Sequence, residues 1–521
     1  LGIRDQESGV SDAARTPVPR PEQLPGPVDL WRSRGAQLAS VLACLALAAG
    51  AGLYRIRTFD TLFHLAAGRW ILREGRVPAT DPFSFSFRGA PWVNHSWGFQ
   101  VWIAALHRAG GFALLSLHQA IAAAMLAGLG LLAMRRQREL LPLAAPLMAA
   151  PVLAFREVLE ARPHVLGFIG LSLTLLVTLQ ASAEQRPRLL AWLAPIYAGW
   201  AISHGSHLLA FVVVGAALPG LLLQPERARV VPWLLCLAAL LGLCSWLAPS
   251  GLLQGREHFA SGFLEGSVSE WYPVELGELL QHGSGLTFLA CLALAWCGAA
   301  LVHLRVGERG ARFTRALYPL LLLATFTVLA FSSRRMIALL LFGAAPLWLP
   351  YASQALARAL HALPGVPRLL PLALVACWSA LFATLALAGA PFRSGLGLQE
   401  DRFPAAAVAA IQRQGHITRV YNAYNFGGYL MFEGVPPAGV FVDGRALTLY
   451  PPEFLASFER AYRDPELFET LVARFAIDGV LLPVDSERAA PLRAYLDRSP
   501  RWHGTFRDSI AVVYEHARST H

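Results

Sequence analysis

The sequence predicts a mostly α-helical polytopic membrane protein with a small C-terminal α/β soluble domain, on three observations. The chain of 521 residues is 55% hydrophobic and only 15% charged, too apolar to cover a soluble surface. Its apolar residues gather into repeated blocks near the roughly 20 residues a helix needs to cross the hydrocarbon core, without the alternating segments of a transmembrane barrel. After Pro391 the composition changes, and residues 391–521 contain no spanning block.

Residues 1–35 are polar and rich in Pro and Arg, and lack the apolar core and small-residue cleavage site of a signal peptide. They are expected to form a disordered cytoplasmic tail. The membrane domain, 36–390, has apolar blocks at 36–54, 112–134, 140–155, 164–183, 189–203, 206–223, 230–248, 285–304, 316–333, 335–350 and 368–390. That predicts about eleven spans, with 95–110 as a further interfacial helix. With the N-terminus inside, the arginine-rich connections at 135–138, 186–188, 227–229 and 305–315 all fall on the cytoplasmic side. The outer connections are then a long first loop, 55–111, followed by 156–164, 203–207, 249–284 and 332–335. In 391–521, strands are expected at 420–424, 440–442, 480–483 and 510–514 and helices at 452–462 and 465–475. An odd number of spans puts this domain outside.

The net charge of +10 comes from arginines in short connections, where they orient helices, so nucleic acid is excluded as a partner. All six cysteines lie in apolar blocks without the paired spacing of a zinc or redox site, which reads as small core residues.

The chemistry-bearing residues collect in the outer connections. Asp60 and His64, four apart, share one helix face; Asp60 reads either as a general base or as the N-cap of a helix beginning around Thr61. Asp81 precedes Pro82 in a turn, where a carboxylate bonds backbone amides, with a second acid role as the alternative. His64, His95, His164, His204 and His207 form a group at one membrane face, suited to bonding loop backbone or to orienting an acceptor or phosphate. Glu157, Glu160 and Arg162 read as a self-neutralising cluster or, with Asp60, as ligands for a divalent cation, Mg or Mn. The guanidinium forks of Arg162, Arg334 and Arg335 match phosphate oxygens, with lipid headgroup contact as the plainer role. Glu270, beside Trp271, lies in a loop able to cover a substrate. Tyr429, Asp443 and Arg445 either face an acceptor or specify the C-terminal fold, and Gly427-Gly428 marks a strand bend or a close backbone approach.

These residues give the chain a resemblance to bacterial multi-spanning proteins of the glycosyltransferase-C superfamily. It rests on Phe59-Asp60 with His64, on Asp81-Pro82-Phe83-Ser84, on Glu160-Ala161-Arg162-Pro163-His164 and on the soluble domain after the last span. Residues 422–430 and 441–445 look like segments of a largely uncharacterised bacterial branch. The superfamily often carries adjacent Asp-Glu or Asp-x-Asp acids in its outer loops; here Thr61 follows Asp60, and Glu157 and Glu160 stand in the second outer loop instead. The resemblance implies an inverting hexosyl or pentosyl transferase of the bacterial inner membrane. It would move a sugar from a polyprenyl-phosphate donor to a glycan, lipid or protein acceptor on the outer side. In that scheme Asp60 is the base, with His64 and Asp81 as further catalytic residues, and Arg162, Arg334, Arg335 and His164 hold the donor phosphate. His95, His204, His207, Glu270, Tyr429, Asp443 and Arg445 face the acceptor. Two readings from other classes stand beside it: a transporter or flippase, and a catalytically inactive scaffold that binds glycans or partner proteins.

Overall fold

A computed structural model describes residues 33–224, 227–249, 273–303, 311–362 and 393–517, with positions 373, 377 and 380. The expected tail, the block at 368–390 and the loop carrying Glu270 and Trp271 lie wholly or mostly outside the described residues.

Helix α1, Arg34–Gly52, starts where Ser33 Oγ accepts the Ala36 amide at 3.1 Å. Helix α2, Phe59–Glu74, is capped by Thr58, whose Oγ1 accepts the Asp60 amide at 3.3 Å, and ends at Gly75 in the left-handed region. Asp60 is therefore the second helical residue and not the cap. The helix begins earlier than the apolar pattern indicates because Phe59 is anchored from outside it, against Phe403 and Phe426 with ring centroids at 5.0 and 5.7 Å. Helix α3, Trp97–Leu132, breaks at Gly110 and Gly111, the latter at φ 61°. The break separates the expected interfacial helix from the span that follows it.

Six described segments are long and apolar enough to cross a membrane: Arg34–Gly52, Trp97–Arg136, Pro163–Glu184, Gly205–Leu222, Ala228–Leu247 and Gly283–His303. Arg334–Gly343 and Ala345–Leu360, bent by 75°, make a seventh if taken as one broken span. The expected blocks at 140–155 and 189–203 form shorter helices. One is α4, Leu141–Ala154, with Pro146 and Pro151 inside it; the other is Leu193–Ala201, preceded by a 3₁₀ segment at Pro187–Trp192. The described residues thus supply six or seven spans against the expected eleven or so. Of the cysteines, Cys44, Cys244 and Cys291 are buried as expected, whereas Cys297 and Cys377 face outward; all six thiols are free.

The C-terminal residues build a four-stranded sheet in the order β1-β2-β4-β3, from Val420–Asn422, Gly479–Pro483, Trp502–Arg507 and Ala511–His516. β1 runs parallel to β2, and the other pairs are antiparallel. Helices Pro452–Ala461 and Pro465–Phe475 fall where their periodicity put them. Residues 440–442 are not a sheet strand. The Val440 amide and carbonyl instead exchange bonds of 3.0 Å with Phe83 and Phe85 of the long loop after α2.

That exchange belongs to a larger union. Backbone bridges join Tyr54 to Ser394 and Ile56 to Leu398, and one apolar core runs from Leu62, Phe63 and Phe99 through Phe403, Tyr421 and Leu430 to Val513. The spans have a separate core, centred on residues such as Met148, Leu171 and Trp348. Two glycines mark close approaches in the union: a Cβ at Gly439 would lie 2.1 Å from the carbonyl oxygen of Phe83, and one at Gly428 2.3 Å from that of Phe59.

Candidate functional site

A cavity of about 780 Å³ opens where one end of the spans meets α2, the turn at 156–164 and the C-terminal domain. Asp60 enters it from the first turn of α2. Its neighbour Thr61 donates its hydroxyl to the Ala161 carbonyl at 3.0 Å, while the Ala161 amide donates to Gln119 of α3 at 2.9 Å. These bonds set residue 60 against residue 162, and Arg162 Nη2 lies 2.8 Å from Asp60 Oδ2. Gly444 of the C-terminal domain closes over the pair; a Cβ there would sit 2.8 Å from Asp60 Oδ1.

Of the residues singled out in the sequence, Asp60, His64, His95, Glu160, Arg162, His164, His204, His207, Arg335 and Arg445 line this one cavity. Four connections far apart in the chain converge there. Arg57, Asn94, Gln100, Arg402 and Tyr424 line it as well. Sequence reasoning missed them, because an isolated arginine or amide in a loop carries no periodicity or motif. Arg57 lies 3.9 Å from Glu160. The far wall is apolar, with Phe168, Leu208, Leu247, Leu329 and Leu339.

His64 is 7% exposed, wedged against Phe63 and Phe99, with Nδ1 3.3 Å from the Gln100 amide nitrogen. Burial holds its pKa well below the ordinary histidine value, and Arg162, His95 and His164 push it the same way. The His164 ring donates from Nε2 to the Val158 carbonyl at 2.7 Å, bracing the turn at 156–164. Burial likewise carries the Tyr424 phenol far above its usual range, with Asp60 and Asp443 adding to it.

Five predicted residues stand outside the cavity lining. Asp81, Asp443 and Arg445 form a buried cluster: Arg445 bonds Asp443 through Nε at 2.8 Å and Nη2 at 2.7 Å, and reaches Asp81 through Nη1. Tyr450 donates to Asp443 at 2.7 Å, and Asp81 accepts the Phe83 amide at 2.8 Å and the Ser84 hydroxyl. The guanidinium also stacks over Trp92 at 4.9 Å. Of this trio only Arg445 touches the cavity, and the cluster clasps the long loop after α2 to the C-terminal domain. Arg334 instead pairs with Glu278 at 2.6 Å, Tyr429 stacks on Phe403, and Glu157 is exposed. Of the expected cation ligands, Asp60 and Glu160 line the cavity and Glu157 does not. Asp60 and Glu160 each face an arginine, and among the described residues no three His, Cys, Asp or Glu side chains are grouped to hold a metal.

By sequence the chain matches no protein-family model and no curated protein. By structure it is similar to an oligosaccharyltransferase of Archaeoglobus fulgidus tethered with an acceptor peptide, at TM-score 0.58 and 10% identity over 94% of this chain and 75% of that one. The archaeal oligosaccharyltransferase AglB of Archaeoglobus fulgidus, in complex with an inhibitory peptide and a dolichol-phosphate, aligns at TM-score 0.57 and 12% identity over 87% and 69%. ArnT of Cupriavidus metallidurans bound to undecaprenyl phosphate aligns at TM-score 0.50 and 13% identity over 93% and 98%. At these identities the likeness is one of fold, shared with these lipid-phosphate-bound and peptide-bound structures over most of this chain.

Proposed function

We propose that this chain is a membrane glycosyltransferase that moves a sugar from a polyprenyl-phosphate donor to an acceptor on the extracytoplasmic side of a bacterial inner membrane. The observation that carries the reading is the cavity itself. It joins a carboxylate, Asp60, to arginines and imidazoles along one wall and to an apolar wall leading toward the spans. A lipid phosphate needs that combination, with cations for its charge and apolar surface for its chain.

In this mechanism Asp60 takes the proton from an acceptor hydroxyl as the acceptor oxygen attacks the anomeric carbon from the face opposite the phosphate. The bond from that carbon to the phosphate oxygen breaks, its electron pair leaves with the polyprenyl phosphate, and the configuration inverts. Arg162 and Arg335 offset the developing phosphate charge. Arg162 has a second task, since its contact with Asp60 orients the carboxylate. Transporters place ionisable groups at mid-membrane depth, whereas the charges described here gather at one end of the helices.

Asp60→Asn keeps the size of the side chain and removes the base. Sugar transfer from a polyprenyl-phosphate donor is expected to fall by roughly 10²- to 10⁴-fold. Folded Asp60→Asn protein that transfers at the parental rate sinks the assignment.

A further inference from the structure

Trp200, at the end of Leu193–Ala201, carries an indole N–H that can only donate, and it donates to Ser206 Oγ at 3.1 Å. With its oxygen accepting from Trp200, Ser206 has its hydroxyl proton available for His204 Nδ1, 2.6 Å away. The Ser206 backbone amide donates to the same ring nitrogen at 3.2 Å. Two donors at Nδ1 make it the acceptor, and in a neutral imidazole the proton then sits on Nε2. The ring is neutral because burial lowers its affinity for a second proton, with Arg335, His164, His95 and His207 adding to the effect. Gly167 in Pro163–Glu184 leaves room for this arrangement: a Cβ there would lie 2.7 Å from Ser206 Oγ and 2.9 Å from His204 Nδ1.

His204 Nε2 lies 3.4 Å from Arg335 Nη2, and both side chains line the cavity. With Nε2 protonated, this is a meeting of two donors and not a hydrogen bond between them. Such a pair suits an acceptor that touches both, and an oxyanion has the charge and lone pairs to do so.

We propose that His204 Nε2–H and Arg335 form a two-donor seat for a phosphate oxyanion, with Ser206 and Trp200 as positioning residues that lock the imidazole in its donating tautomer. This deepens the transferase reading and rests on it, because it takes the oxyanion to be the phosphate of the lipid carrier. It also moves His204 from the acceptor side, where the sequence placed it, to the donor side.

The intact protein in nanodiscs, with ¹⁵N-labelled histidine, provides the test. Affinity for undecaprenyl phosphate is read by native mass spectrometry, and the His204 ring is read by NMR with and without inorganic phosphate. The expected spectrum has Nε2 protonated and Nδ1 bare, with Nε2–H shifting when phosphate is added. His204→Ala is expected to weaken lipid-phosphate binding by roughly ten- to a hundredfold, the worth of one hydrogen bond to a charged group. His204→Gln, whose amide nitrogen falls near the position of Nε2, recovers much of that loss. Ser206→Ala weakens binding by roughly two- to tenfold and mixes the two tautomers, an effect that a merely structural serine would not have. If the parent binds the lipid phosphate and His204→Ala binds equally well, the seat is overturned and the transferase reading survives. If inorganic phosphate shifts Nε2–H but the lipid phosphate does not bind, the seat stands and the lipid-carrier reading falls. If neither ligand acts on the parent, both fail.

Discussion

At Asp60 the expected losses in chemistry and in stability separate. The Asp60–Arg162 pair is partly open to solvent, with side chains 30% and 19% exposed, so it contributes about 1 kcal/mol or less to folding. Asp60→Asn should therefore lower transfer steeply while leaving the thermal midpoint within a few degrees of the parent. Arg445 behaves in the opposite way. Its side chain is 1% exposed between two carboxylates that are 0% exposed, and Arg445→Met leaves both carboxylates buried without their cation. A loss of about 3–5 kcal/mol is expected, read as a lower unfolding midpoint in detergent; Asp81→Asn and Asp443→Asn added to the same protein should restore part of it. The histidines set a pH dependence. His64 and His204 have folded-state pKa values depressed by burial, so the unfolded chain binds more protons than the folded one below about pH 6.5. Their contribution to stability is complete above that pH and is lost as the pH falls toward their folded values. A pH series of unfolding midpoints should decline on the acid side, and replacing both by Gln should flatten the decline.

Among the elements, α2 shows how far local pattern reaches. Its existence and its apolar face were legible in Leu62, Leu65 and Ala66, but its first turn was not, because Phe59 is drawn into the helix by Phe403 and Phe426, more than 340 residues later in the chain. The rival role of Asp60 as a cap depended on that boundary, and Thr58 holds the position instead. The Gly110-Gly111 break and the two C-terminal helices were readable because glycine pairs and amphipathic periods act locally. Strand Trp502–Arg507 was missed: its outward residues His503, Gly504 and Thr505 are exposed and leave no apolar alternation to read. Of the two readings of Gly427-Gly428, a strand bend or a close approach, the pair sits in a helix and makes the approach, Gly427 to the backbone of Val442 and Gly428 to that of Phe59, partners the sequence did not name. Gly428→Ala puts a methyl group against that carbonyl and is expected to cost about 1–3 kcal/mol, measured as faster proteolysis between residues 58 and 97 in otherwise well inserted protein.

For the whole molecule, the apolar cores do not follow the division at residue 391 that composition indicates. The core of the C-terminal sheet takes in Ile56, Leu62, Trp92, Phe99 and Ile103 from early in the sequence, so the first long loop is physically part of the last domain. A chain ending before residue 393 should still insert its helices, yet expose that half-core. Trypsin would then cut at Arg76 and Arg88 much faster than in the full protein, a difference visible on a gel. The union also separates two events in the life of the molecule. At roughly 5–20 residues per second of synthesis, a ribosome that has delivered Asp60 to the membrane needs on the order of 20 to 70 s more to supply the residues that will close over it. Throughout that interval the carboxylate has no Gly444 above it and no Tyr424 beside it. A nascent chain therefore has its membrane anchors long before it has a cavity, which is complete only once the residues from Tyr424 to Thr448 have been made.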